Sequence, residues 1–326
     1  MRSHAIRFHE TGGPEVLKWE EIEVGDPAPG EVLLRQTAVG LNFIDTYHRS
    51  GLYKVPLPSG IGSEGAGVVE KVGANVSDLK PGDRVAYATG GPLAAYSEWR
   101  TYPADRAVKL PDGISDRQGA AMMLQGMTVE YLVRRTFPVK AGQTVLLHAA
   151  AGGIGLIASQ WLKHLGATVI GTAGGPEKMA LAKAHGCDHV LDSHKDDIAK
   201  RVREITGGKG VPVVYDGVGK ATFQASLDSL AVRGMFVSFG NASGAVPAFE
   251  PILLSAKGSL FFTRPTLMSY TITREELVAS AKALFDVVLS GAVKIEINQT
   301  YPLKDAAQAH RDLEARKTTG STIFLP

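Results

Sequence analysis

The spacing of apolar residues changes twice along this chain. Up to residue 120 the apolar positions come in short β-rich runs, at 5–8, 31–39, 65–72 and 84–87, divided by clusters of glycine, proline and aspartate. That pattern predicts a β-barrel-like domain. Lys80-Pro81-Gly82-Asp83 fits a tight turn within it, since proline presets φ and glycine accepts the positive value needed next. From Ser115 the period becomes helical, through 120–124 and 128–133, and ends before Pro138, so this stretch is the expected bridge between domains. Strand-helix steps follow from Thr144, with strands near Val169, Val190, Val213, 235–238 and 260–263. Six such strands complete a doubly wound parallel sheet. Beyond Arg264-Pro265 the wound pattern stops. A long amphipathic helix over 273–290 sets Leu277, Ala281, Leu284, Phe285 and Val288 on one face, with Thr273 and Glu276 as a capping pair. A final helix over 303–316 and a strand over 322–325 have no place in a completed six-stranded sheet and are expected to return to the first domain.

The stretch 144–163 organises the rest. Its apolar run 144–148 leads into Ala149-Ala150-Ala151-Gly152-Gly153-Ile154-Gly155, and then Leu156, Ile157, Gln160, Trp161 and His164 recur at helical spacing up to Gly166. Ala150-x-Gly152-x-x-Gly155 is the dinucleotide fingerprint with its first glycine replaced by alanine. Gly152 would let the backbone approach a pyrophosphate, and Gly155 would let helix and strand pack closely, so that helix amides face the anion. Glycine-rich turns also close strand-helix junctions that bind nothing. The second apolar run, 167–173, and the helical segment 176–185 favour the nucleotide reading, because together they continue a βαβ unit.

Composition narrows the choice of function. A chain of 326 residues exceeds one compact core of ordinary size, so two domains are expected. With 44% hydrophobic and 21% charged residues and no apolar run long enough to span a bilayer, it reads as a globular, non-membrane protein. The N-terminus offers no apolar signal segment, which points to the cytoplasm. A net charge of +2 gives no reason to invoke nucleic acid or a membrane surface. Cys187 is the single cysteine, so neither an intrachain disulfide nor a cysteine-cluster metal site is available, and it is expected to fill core space.

The domain order resembles the medium-chain dehydrogenase/reductase superfamily. Gly142-Gln143-x-x-Leu146, Ala150-Ala151-Gly152-Gly153-x-Gly155 and Gln160-x-x-Lys163 together resemble the signature of its quinone oxidoreductase and zeta-crystallin branch. Gly12-Gly13-Pro14-Glu15-Val16, the run Asn42-Phe43-Ile44-Asp45-Thr46-Tyr47, Asp216-Gly217-Val218-Gly219 and Ser238-Phe239-Gly240-Asn241 extend the likeness to bacterial NADPH:quinone reductases. The resemblance implies an α/β protein with a GroES-like β-rich catalytic domain over 1–124 and 266–326. A Rossmann domain, with its doubly wound parallel six-stranded sheet, is implied over 125–265. In zinc-dependent members a cysteine and a Gly-His-Glu histidine hold the catalytic metal. Asn42 and Ser63 stand at those places here, so no metal site is expected. Glu64 has two readings, catalytic or a brace for its turn.

A fold that selects NAD usually offers a carboxylate about 20 residues past the glycines. Here that strand ends in Gly171-Thr172-Ala173-Gly174-Gly175, without one, and Lys178 follows on the next helix at the family's phosphate-binding lysine. NADPH is therefore the expected cofactor. Where relatives commonly have a tyrosine that also meets the phosphate, this chain has Ser193, followed by His194. The resemblance implies cofactor contacts at Gly152, Gly153, Ile154, Thr172, Gly174, Lys178, Ser193 and Val218. It also implies, at the nicotinamide or along the cofactor, Asn42, Asp45, Tyr47, Thr128, Phe239, Gly240, Phe262, Thr263, Arg264 and Arg316. Tyr47 is the first choice of hydrogen-bond donor to the reduced oxygen, with Asn42 and Tyr53 next, and each tyrosine has the alternative reading of a core residue. The implied reaction is direct hydride transfer to a small quinone. The enzymatic alternative is reduction of an activated carbon-carbon double bond in enones, alkenals or haloacrylates, and a remote one is a zeta-crystallin-like RNA-binding or structural role. Relatives join two subunits through the last wound strand, 258–263 here, so a homodimer is expected.

Overall fold

The computed structural model describes all residues, 1–326, in two compact units. One comprises Met1–Met127, Tyr270–Leu289 and Ile295–Pro326, and the other Thr128–Ser269 with Ser290–Lys294.

In the second unit six parallel strands lie in the order His189–Asp192, Thr168–Ala173, Thr144–Leu147, Val211–Asp216, Leu230–Ser238, Phe261–Thr263. The order reverses between Thr144–Leu147 and Val211–Asp216, the doubly wound arrangement whose ligands bind beyond the carboxyl ends of these two strands. Both are buried along nearly their whole length, as their apolar runs require when helices cover both faces. Leu146, Ile170, Val214, Leu227 and Phe236 share one core with the helices Ile198–Ile205 and Phe223–Ser229. Each such side chain contributes roughly 1.5–3 kcal/mol by leaving water. The helix Gly153–His164 ends where Gly166 takes φ 82° and the Ala167 amide reaches back to the Leu162 carbonyl at 3.0 Å, a left-handed cap that only glycine adopts without strain. Cys187 is buried against Gly171 and lies 3.2 Å from the Ser159 hydroxyl.

The first unit is built on a seven-stranded sheet. Its path runs Ile297–Pro302, Ser321–Leu325, Glu31–Leu41, Glu64–Val72, Arg84–Ala88, Val108–Lys109, and Trp99–Pro103 also pairs with Glu31–Leu41. A smaller sheet joins Lys18–Glu23, Arg2–Phe8 and Ser59–Gly60. The last strand pairs antiparallel with Glu31–Leu41, so the C-terminal segment returns to this unit as its hydrophobic pattern requires. The turn at residue 82 has the expected geometry: the Asp83 amide bonds the Lys80 carbonyl at 3.1 Å and Gly82 has φ 89°.

Three details depart from the sequence pattern. The final helix does not begin at Leu303: Leu303–Asp305 is a single 3-10 turn, and the α-helix spans Ala306–Glu314. Leu303 is buried while Lys304 and Asp305 are exposed, so the first turn tightens around one anchor. Ile297–Pro302 is a strand that the apolar pattern did not reveal, because its residues alternate only between half-buried and exposed. The strand at the wound sheet's edge begins at Phe261 rather than Leu260, which is buried just before it.

Candidate active site

In the second unit, the fingerprint turn leaves the end of Thr144–Leu147, on one side of the strand-order reversal. Ala149 takes φ 55°, an angle that costs a residue with a β-carbon some strain, and turns the chain into the helix. A β-carbon at Gly155 would stand 2.3 Å from the Ala149 carbonyl oxygen and 2.6 Å from the Ala150 carbonyl carbon, so close helix-strand packing itself demands glycine there. Gly152 differs. A β-carbon there would meet only the Ala149 oxygen at 3.4 Å, and φ is −79°, so nothing within the chain requires glycine. Open space in front of a helix N-terminus, with Gly152, Gly153 and Ile154 half-exposed, is the geometry a pyrophosphate needs.

A buried hydrogen-bond network ties this turn to the neighbouring strand end. Thr172 Oγ1 lies 3.3 Å from the Ala149 amide and 3.1 Å from His148 Nδ1. The other ring nitrogen is 3.0 Å from Ser226 Oγ, and that hydroxyl donates to Asp216 Oδ2 at 2.7 Å. Thr222 donates to the same oxygen at 2.7 Å, and Asp216 Oδ1 accepts the Val218 and Gly219 amides at 2.8 and 3.0 Å. Burial lowers the His148 imidazole below its ordinary value against the pull of Asp216, so the ring is neutral. Close packing explains two further glycines: a β-carbon at Gly240 would strike the Gly217 carbonyl at 2.4 Å, and one at Gly217 would strike the Phe239 ring at 2.8 Å.

At the end of Thr168–Ala173, Gly174 and Gly175 lead into the helix Pro176–Ala184; the strand end and the two glycines carry no carboxylate, and Glu177 in the helix's first turn is exposed. Lys178 lies in that helix's first turn, half-buried, Ser193 is exposed, and the His194 ring packs against Gly174. Phe262 packs on Phe236 and Phe249 with ring centroids 5.1 and 5.2 Å apart, Thr263 pairs with Val237, and exposed Arg264 bonds the Ser238 carbonyl at 3.0 Å. Thr128 is buried in the helix Asp116–Tyr131.

In the first unit, Asn42 caps the helix Phe43–Ser50. Its main-chain amide donates to Asp45 Oδ2 at 2.9 Å, its side-chain Nδ2 to Glu64 Oε2 at 2.6 Å, and Gln125 Nε2 donates to its Oδ1 at 3.2 Å. Glu64 Oε1 accepts the Leu124 amide at 2.8 Å, and full burial pushes this carboxyl up to about 8. Glu64 is therefore a brace between Asn42 and the helix Asp116–Tyr131. Asp45 is turned inward as well: it accepts the Tyr96 hydroxyl at 2.9 Å, leaves Oδ1 unpaired, and is pushed up to about 7 by burial. Behind Tyr96 lie His310 at 3.2 Å and then Arg49, whose guanidinium forks onto Glu314. Tyr47 is buried on the same helix, edge-on to half-buried Tyr53 with ring centroids 5.3 Å apart. Arg316 is exposed after the last helix, with φ 58°.

Two family models match, an alcohol dehydrogenase GroES-like domain over residues 28–112 and a zinc-binding dehydrogenase over 153–286. A quinone oxidoreductase of Pseudomonas aeruginosa is 55% identical over 98% of this chain and 99% of its own. The chain belongs to the medium-chain dehydrogenase/reductase family. The crystal structure of the Escherichia coli quinone oxidoreductase complexed with NADPH superposes with a TM-score of 0.97 at 50% identity, covering 99% of this chain and 100% of that one. A 2-haloacrylate reductase of Burkholderia sp. is 47% identical over 99% of this chain and 98% of its own.

The zinc implied by one model's description does not fit this member of the family. No group of three or more His, Cys, Asp and Glu side chains lies close enough to hold a metal. At the expected place stand the amide of Asn42, the hydroxyl of Ser63 and a carboxyl already engaged by two hydrogen bonds. Sequence reasoning missed His148, Ser226, Gln125, Tyr96 and His310. A polar residue closing an otherwise apolar strand, as His148 does, was the one available signal.

Proposed function

We propose that this chain reduces small quinones with NADPH by direct hydride transfer, without a bound metal. The observation that carries the reading is Gly152, a glycine with no internal reason to be one, at the carboxyl ends of the strands where the wound sheet reverses. NADPH supplies the hydride. Amides of the Gly152–Ile154 turn meet the pyrophosphate, the loops at Val218 and at Phe239 and Gly240 line the cofactor, and Lys178 faces the 2′-phosphate that a carboxylate would repel. Ser193 and Gly174 lie beside that phosphate in this reading. Thr128, Phe262, Thr263, Arg264 and Arg316 complete the cofactor's surroundings. Tyr47 is the donor to the oxygen that gains charge as the ring is reduced, supported by Asn42 and Tyr53. The family resemblance supports these residue roles, and the relatives' printed names support the quinone and NADPH reading.

Three further points belong to the same reading. The exposed edge strand Phe261–Thr263, with Phe261 56% exposed and Val232 71% exposed near it, supports a homodimer joined edge to edge. No helix is long and apolar enough to cross a membrane, and a lone reduced thiol suits the cytoplasm. The 2-haloacrylate reductase relative favours a second acceptor class, activated alkenes. A panel of quinones, enones and haloacrylates, with NADPH consumption followed, tests the choice: quinones should be the most efficient acceptors, and no turnover of any quinone would overturn the assignment.

A further inference from the structure

The network at the reversal of the wound sheet can be given a direction, proton by proton. Ser226 has one hydroxyl proton, and Asp216 Oδ2, 2.7 Å away, takes it. Asp216 accepts from four groups, the Val218 and Gly219 amides and the Thr222 and Ser226 hydroxyls, which is the environment of an ionised carboxylate with no proton to give. The contact between Ser226 Oγ and His148 Nε2 at 3.0 Å must then use the proton on the ring nitrogen. The neutral ring has only one, so Nδ1 is an acceptor and takes the hydroxyl proton of Thr172. Thr172 Oγ1 is left with lone pairs, and one of them receives the Ala149 amide. Every donor has an acceptor, and only this order achieves it.

We propose that His148, as the Nε2–H tautomer, is the positioning residue of the coenzyme turn: it locks the Ala149 end of the fingerprint to the Asp216 loop through Thr172 and Ser226. The inference rests on the reading above that this turn receives the pyrophosphate. The two strand ends it joins, after Leu147 and at Asp216, are the pair that flank the reversal. Ala149 sits at a positive φ that an L-residue holds only when its surroundings over-determine it, and the Thr172 hydroxyl supplies that restraint. An ionised imidazole would present a proton at Nδ1 to Thr172 Oγ1, and the Thr172 hydroxyl proton would lose its acceptor in the network. Asp216, reached through Ser226, is the charged group that acts on the ring.

The test combines coenzyme binding with the tautomer itself. Dissociation constants for NADPH and for adenosine 2′-monophosphate, which lacks the pyrophosphate bridge, are measured by titration for wild type, Thr172→Val, Ser226→Ala and the double variant. Each single change should weaken NADPH about tenfold, the double should be no weaker than the worse single, and the monophosphate should shift by less than about twofold. Nitrogen-15 shifts of the ring should show Nε2 protonated and Nδ1 bare from about pH 5.5 to about pH 8.5. Independent, multiplying losses in the double variant, equal weakening of both ligands, or a proton on Nδ1 would overturn the proposal. A wild-type protein that fails to bind NADPH would strike the parent reading and the positioning role with it, whereas the tautomer, read without coenzyme, reports on the network alone.

Discussion

The side-chain amide of Asn42 meets the buried carboxyl of Glu64 across 2.6 Å, and burial sets the consequences for pH. The Glu64 carboxyl rises from an ordinary value of 4.5 to about 8. A carboxyl whose folded value is raised holds its proton more tightly in the native state. Its contribution to stability is therefore complete below about pH 4.5 and is lost as pH rises to about 8. Glu64→Gln removes that dependence, while Asp45, pushed up to about 7, remains in both proteins. Urea midpoints across this window should show the advantage of wild type over the variant shrinking with rising pH. Parallel profiles would show that Glu64 does not titrate in this way.

Gly152 and Gly155 separate binding from folding. A β-carbon at Gly155 collides with Ala149 and Ala150, so Gly155→Ala should lower the melting temperature sharply or abolish folding. At Gly152 the same β-carbon meets only one atom, at ordinary contact distance. Gly152→Ala should keep wild-type thermal stability and lose at least about tenfold in NADPH affinity, because the methyl group occupies the space of the pyrophosphate. Unchanged affinity would place the coenzyme elsewhere.

Tyr47 carries the hydrogen-bond donor role in this account, although it is buried and packed against Tyr53. Tyr47→Phe keeps the ring and deletes the hydroxyl. Turnover should fall by roughly tenfold with the dissociation constant for NADPH unchanged, the mark of a group that acts on the reduced oxygen alone. An unaltered rate would leave Tyr47 as core packing.

Phe261 stands 56% exposed on an edge strand. A charge there should prevent sheet-to-sheet pairing, so Phe261→Lys should elute as a monomer in size-exclusion chromatography with light scattering, against a dimer for wild type. A dimeric variant would move the interface to another surface.

Much of the wound sheet was legible because its strands are buried on both faces and read as continuous apolar runs between glycines. The long helix was legible from its cap: the Glu276 carboxylate accepts the Ile272 and Thr273 amides at 3.0 and 3.3 Å, and the Thr273 hydroxyl accepts the Glu276 amide at 3.2 Å. Ser59–Gly60 and Val108–Lys109 were not, since two residues carry no period. The polar interior of the site was hidden for a different reason. Arg49 and His310, 261 positions apart, meet only after the C-terminal segment folds back, and no local pattern reports such a pair. Asn42 and Ser63 were noticed for standing at the zinc ligand positions of relatives, and Glu64 as either a catalytic group or a brace for its turn. The hydrogen bond between Asn42 and Glu64 became visible only when strand and helix were placed.

The proposed preference for the phosphorylated nicotinamide, without a metal, comes from Lys178 standing in place of a carboxylate at the ribose. The most direct measurement is kcat/KM with NADPH and with NADH, using a small benzoquinone as acceptor and protein dialysed against a strong chelator, for wild type and Lys178→Ala. Wild type should prefer NADPH by at least about tenfold after chelation, and the variant should lose most of that preference through NADPH alone. Equal efficiency with both coenzymes in wild type, or activity that returns only when zinc is added, would contradict it.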